Sequence, residues 1–112
     1  MKKYILLSFF LSVGCQFSFG QTSPSEQLAQ RIANKMKDTL ALTAVQTQSM
    51  YNINLNLNTR KMQARTISTD RVIIEHAIQA VEKTRDSLYR IDLTASQYQL
   101  YLHKKRNIIK YN

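Results

Sequence analysis

The chain has 112 residues, carries sixteen Lys and Arg against seven Asp and Glu for a formal charge of +9, and contains one Cys. That length supports one small domain, the charge favours acidic partners, and a lone Cys excludes an internal disulfide. Both glycines, Gly14 and Gly20, fall in the first twenty residues, so the rest lacks the turn chemistry of a multi-stranded sheet and any glycine-rich phosphate loop.

Residues 1–20 have the layout of a secretory signal: Lys2 and Lys3, an apolar run from Tyr4 to Val13, and small residues at Ser18 and Gly20. The run is too short to span a bilayer. Cleavage after Gly20 is the expected processing and leaves a domain of residues 21–112. The alternative is a lipoprotein acylated at Cys15 after Ser12-Val13-Gly14, and membrane contact is expected only in that case. With the leader gone the charge is +7 and no Cys remains. In a cytosolic chain such an excess points to nucleic acid; an exported protein seldom meets any, so no nucleic-acid partner is expected. A domain of this size hides only about 60 to 65% of its unfolded surface, which makes a homodimer the expected state.

Four helices are predicted. Ser23-Pro24-Ser25-Glu26 is a capping box with Pro at N1, after which Leu28, Ala29, Ile32, Ala33, Met36 and Leu40 line one face. Leu42-Thr43-Ala44-Val45-Gln46 then opens a second helix. Its Thr and Gln are three apart, so the Thr43 hydroxyl can accept from the Gln46 amide while the Gln46 side chain returns to Thr43.

The next stretch, Tyr51 to Asn58, alternates apolar residues with Asn as a half-buried strand would. A helix is preferred, because Met50, Ile53, Leu57 and Ala64 then fall on one side and Tyr51, Leu55 and Met62 almost opposite. Its four Asn cost up to ~0.7 kcal/mol each against Ala, so packing must hold it. One face is expected to meet its own chain and the other a dimer partner or ligand; the alternative buries both within one chain. Arg60, Lys61 and Arg65 make its far end positive.

Ser68 or Thr69 is predicted to cap a third helix, with Asp70 in its first turn. Ile73, Ile74, Ala77, Ile78, Val81 and Leu88 form its apolar stripe, while Glu75, Glu82 and Asp86 with Arg71, Arg85 and Arg90 read as a solvated face. Ile91 ends that helix as Leu40 ends the first. Leu93-Thr94-Ala95-Ser96-Gln97 then repeats the pentapeptide fifty-one positions after the first copy. This copy adds a hydrophobic staple from Leu93 to Tyr98; the first copy has Thr47 there instead. The fourth helix presents Tyr98, Tyr101, Leu102, Ile108 and Ile109, with Lys105 inside that stripe, able to snorkel or to bind an acid.

No chemistry for catalysis stands out. After the leader there is no Cys, His76 and His103 belong to no triad, and no ligand spacing for a metal exists. Neither enzyme activity nor a cofactor nor a metal is expected.

Two LTxxQ motifs in a small, basic, exported, all-helical chain resemble the Spy/CpxP family of periplasmic proteins, through Leu42, Thr43, Gln46, Leu93, Thr94 and Gln97. The resemblance implies a thin, elongated, antiparallel helical fold that dimerises into a cradle with a positive, partly apolar inner surface. It implies a periplasmic, ATP-independent chaperone for partly unfolded envelope proteins, or a regulator that binds the periplasmic domain of a sensor kinase. Relatives tied to metal resistance carry His-rich segments, absent here. The residues expected to meet clients are Arg60, Lys61, Arg65 and Lys105 for attraction, with Met50, Ile53 and Leu57 or Tyr51, Leu55 and Met62 for apolar contact. A third reading, an envelope component bound to anionic lipid through the basic last helix, stays open beside these.

Overall fold

Capping chemistry decides where the helices begin. In the computed structural model, which describes residues 23–109, Ser23 closes a complete capping box with Glu26 ahead of α1 (Pro24–Leu40). Thr43 and Gln46 do the same for α2 (Ala44–Ala64), and Thr94 and Gln97 for the last helix, α5 (Ala95–Ile108). The predicted leader 1–20, Cys15, Lys110 and Tyr111 lie outside the described residues. Among the described residues there is no strand, and no helix is long and apolar enough to cross a membrane.

The predicted third helix is interrupted and forms α3 (Arg71–Glu82) and α4 (Arg85–Asp92). Lys83 and Thr84 keep right-handed helical angles, but the Thr84 hydroxyl donates to the Val81 carbonyl at 2.7 Å and the Thr84 amide bonds the same carbonyl. A hydroxyl bonded back into the preceding turn bends a helix. The cap of α3 also differs from expectation. Asp70, not Ser68 or Thr69, is the N-cap: its carboxylate accepts from Val72 N at 2.9 Å, and Ser68 Oγ accepts from Asp70 N at 3.0 Å. A carboxylate gains more than a hydroxyl from the positive end of the helix.

α1, α2, the bent α3–α4 pair and α5 run antiparallel in turn in an elongated array. The start of α1 meets the end of α2, where Ser25 Oγ donates to Met62 Sδ at 2.8 Å and Asn58 Nδ2 donates to Ser25 O at 3.2 Å. The same helix α2 contacts α3 and α4 through Lys61–Glu82 and Asn54–Arg85, and α5 returns along α4 through Tyr101–Asp86. At 1.5 Å per residue α2 is a rod of about 32 Å, long enough to serve neighbours on both flanks.

The core gathers at the motif end. Ile32, Ala33, Met36 and Leu40 of α1 pack with Leu42, Met50, Tyr89, Leu93, Tyr101 and Ile108, and Tyr98 and Ile109 lean against them. Tyr89 and Tyr101 meet edge to face with centroids 4.9 Å apart, a geometry aromatic quadrupoles favour. The opposite end is thin. Val81 is the one buried residue of α3, while Ile74, Ala77 and Ile78 are half-covered and Ile73, predicted to sit in the apolar stripe, is exposed. Leu102 likewise leaves the predicted stripe of the last helix and is exposed.

Candidate functional site

The two pentapeptides, far apart in sequence, lie side by side and hold one another. Gln46 Nε2 donates to Gln97 Oε1 at 2.7 Å and Gln97 Nε2 donates back to Gln46 Oε1 at 3.2 Å. Each Oε1 also accepts from its own N-cap amide, Thr43 N at 3.0 Å and Thr94 N at 2.9 Å, which fixes which end of each amide faces the cap. The remaining protons go to backbone carbonyls: Gln46 Nε2 to Asp92 O at 3.1 Å and Gln97 Nε2 to Leu40 O at 3.5 Å.

Every hydrogen-bonding position of both amides is thereby used. Gln is the residue that can do this, since Glu could close the box but has no proton to give the other copy. Leu42 and Leu93 are both buried beneath the clasp, where the Leu of each motif anchors its loop to the core.

The repeat is not exact in how the preceding helix stops. After α1, Ala41 adopts left-handed angles (φ 56°, ψ 53°), and the amides of Ala41 and Leu42 both close on Lys37 O. After α4 no left-handed residue intervenes, and Leu93 is extended with its amide on Tyr89 O. Ile91, paired with Leu40 in the sequence, is therefore 78% exposed while Leu40 is in the core. The spacing is the same in both copies, so the difference lies in the backbone: α1 stops at Leu40 and turns left-handed at Ala41, whereas α4 runs on through Asp92, and one residue more of helix rotates its end by about 100°.

Beside the clasp runs a buried polar chain. Arg85 is fully buried, and its Nη1 donates to Asn54 Oδ1 at 2.9 Å and to the Tyr89 hydroxyl at 2.7 Å. The Tyr89 hydroxyl donates to Asn54 Oδ1, and Glu82 receives Arg85 Nε, Arg85 Nη2 and Lys61. Burial by itself would raise the Glu82 carboxyl, but the hydrogen bonds and positive charge of Arg85 and Lys61 outweigh it and hold it at about 2. Burial pushes the Tyr89 phenol up to about 12. Asn54 Nδ2 is buried without a partner. A second link joins α4 to α5: Tyr101 donates to Asp86 at 2.7 Å and Lys105 pairs with the same carboxylate at 2.9 Å. Burial and that hydrogen bond push the Tyr101 phenol upward.

This network corrects the expectation that Glu82, Asp86 and Arg85 form a solvated face. Arg85 lies four residues after Val81 and four before Tyr89, so it occupies the apolar stripe itself. That spacing was the signal in the sequence. Its charge directed the reading to the surface.

The predicted client-binding residues separate. Met50 and Leu57 are fully buried in this chain and offer no surface to another molecule. Lys61 is buried against Glu82, and Lys105 is engaged by Asp86, so an internal acid takes the role foreseen for an external one. Tyr51, Ile53 and Leu55 are half-buried, Tyr51 and Ile53 packing on the core. Arg60 is half-exposed, Arg65 exposed, and Met62 is 51% exposed. The two flanks of α2 are thus largely occupied within one chain, because α1 takes one side and α3 with α4 the other. Asn54 and Asn58 serve those contacts, while Asn52 and Asn56 face solvent.

What stays open is the thin end, where Met62, Ile67, Val72 and Ile73 are exposed beside Arg65 and Arg71. Among the described residues, no group of three or more His, Cys, Asp or Glu could hold a metal ion. No family model, curated protein or solved structure compared with this chain matches it.

Proposed function

We propose that this protein is a periplasmic, ATP-independent holdase of the Spy/CpxP kind, capturing partly unfolded polypeptides on a cationic, partly apolar surface. The observation that carries the reading is how the charges are spent. Of the seven acidic residues, Glu26 and Asp70 close helix starts and Glu82 and Asp86 are taken up by Lys61, Arg85 and Lys105. Asp38 and Glu75 stay exposed but are outnumbered by the exposed Arg65, Arg71, Lys104 and Arg106, with Arg60 half-exposed, and Met62, Ile67, Val72 and Ile73 are exposed in the same stretch of chain as Arg65 and Arg71. Such a surface attracts a chain at long range and holds it by weak contacts, which suits release without ATP. The paired pentapeptides support the same family.

Suppression of aggregation of a chemically denatured model protein tests the reading. Light scattering should fall at stoichiometric ratio in low salt and recover as salt screens the charges beyond ~10 Å. No suppression at low salt would refute it. Enrichment of a single membrane protein from an envelope extract, in place of a broad set, would favour the sensor-binding regulator.

A further inference from the structure

A cleft of about 180 Å³ opens where the start of α1 meets the end of α2, walled by Pro24, Ser25, Leu28, Asn58, Met62 and Arg65, with Lys61 behind. Its polar wall groups are engaged within the chain. The Ser25 hydroxyl donates to Met62 Sδ, Asn58 Nδ2 donates to Ser25 O, and Lys61 is paired with Glu82. An entering group thus meets Pro24, Leu28 and the flexible Met62 side chain, a surface that adapts to different shapes. No acidic side chain lines the cleft, and Arg65 at its rim makes no ion pair among the described residues. The volume is close to the ~150 Å³ that encloses a benzene ring, hence room for one Leu or Phe side chain.

Resting on the holdase reading above, we infer that this cleft is where a client is seated: it takes one aliphatic or aromatic side chain from an extended segment whose neighbouring residue is Asp or Glu, and Arg65 pairs with that carboxylate. Lys61 cannot share the task, because Glu82 already neutralises it. The selectivity follows from charge: an apolar cleft alone accepts any greasy residue, and a lone unpaired guanidinium at its rim prefers those followed by an acid.

The test uses the full exported protein with acetylated, amidated Gly/Ser hexapeptides carrying Phe-Asp, Phe-Asn or Ser-Asp, followed by the methyl NMR signals of Met62 and Leu28. Phe-Asp should move both signals and bind about fivefold tighter than Phe-Asn, the size of a modest exposed ion pair. Ser-Asp should leave them in place. Arg65→Gln should erase the preference, bringing the affinity for Phe-Asp level with that for Phe-Asn. Equal affinity for Phe-Asp and Phe-Asn, a preference that survives Arg65→Gln, shifts confined to other residues, or shifts produced by anionic phosphatidylglycerol vesicles and not by peptide would each overturn the assignment. The holdase reading fails separately. A protein that binds Phe-Asp in the cleft yet suppresses no aggregation loses the holdase function and keeps the site; one that suppresses aggregation while peptides shift other residues loses the site alone.

Discussion

Replacing both clasp glutamines with glutamate gives the sharpest test of the motif pair. In Gln46→Glu/Gln97→Glu each side chain keeps the oxygen that accepts from Thr43 N or Thr94 N, so the two caps survive. Both mutual hydrogen bonds, now 2.7 and 3.2 Å long, lose their donors, as do the carbonyls of Asp92 and Leu40.

Two carboxylates about 4 Å apart repel by roughly 4 kcal/mol at an effective dielectric constant of about 20, and partial exposure reduces this to about half. Unpaired acceptors add about 1 to 2 kcal/mol. A loss of about 3 kcal/mol lowers the melting temperature of a domain this small by roughly 12 to 24 °C. The repelling pair titrates jointly, with its upper step raised in the folded state above the ordinary carboxylate range.

Because the folded pair binds a proton more tightly than the unfolded one, the penalty is complete above the raised step and is relieved as pH falls below it. One shared proton then rebuilds an O–H···O bond between the two side chains. Thermal melts followed by circular dichroism at pH 8 and pH 5 should show a deep loss at the first and substantial recovery at the second, with the parent nearly level between them. A double variant that melts within about 3 °C of the parent at pH 8, or that weakens further on acidification to pH 5, would refute the clasp.

Other outcomes follow from the buried chain and the helix end. Arg85→Met should destabilise by about 2 to 4 kcal/mol in urea unfolding, since Glu82 loses the charge-assisted bonds of Arg85 and keeps only Lys61, while Asn54 and Tyr89 each lose one bond and keep each other. Glu82, held at about 2 when folded against an ordinary 4.5, contributes stability that is full above about 4.5 and drains away as pH falls toward 2; Glu82→Gln should flatten that limb of the acid titration. Tyr89 and Tyr101, both pushed upward, should remain protonated in an ultraviolet titration near pH 10 and ionise only as the fold is lost. Ala41→Gly should raise stability by about 0.5 to 1 kcal/mol by relieving the left-handed angles that Ala41 adopts.

Which features could be read without coordinates depends on how local their causes are. Ser23, Thr43 and Thr94 each open a helix by bonding a residue three positions on, so helix starts, the all-α class and the LTxxQ repeat follow from neighbours in sequence. The continuity of Ala44–Ala64 through its alternating Asn residues also followed, because apolar residues on two sides of a helix alternate much as those of a strand do. The cap of α3, expected at Ser68 or Thr69, falls one or two positions later at Asp70 because several capping residues stand together there and their competition depends on geometry.

Only the tertiary structure decided what faces what. Gln46 and Gln97 show as capping residues in the sequence; that they are also each other's partners depends on α1 and α4 delivering two loops to one place. Met50 and Leu57 look the same from sequence as Met62, yet the first two are enclosed by neighbouring helices and the third stands at the rim of a cleft. Arg85 is inside because Glu82, Asn54 and Tyr89 converge to satisfy it. A charge is driven to the surface by its hydration and can be held in the interior only by partners, and partners contributed by other helices are positioned by the fold as a whole.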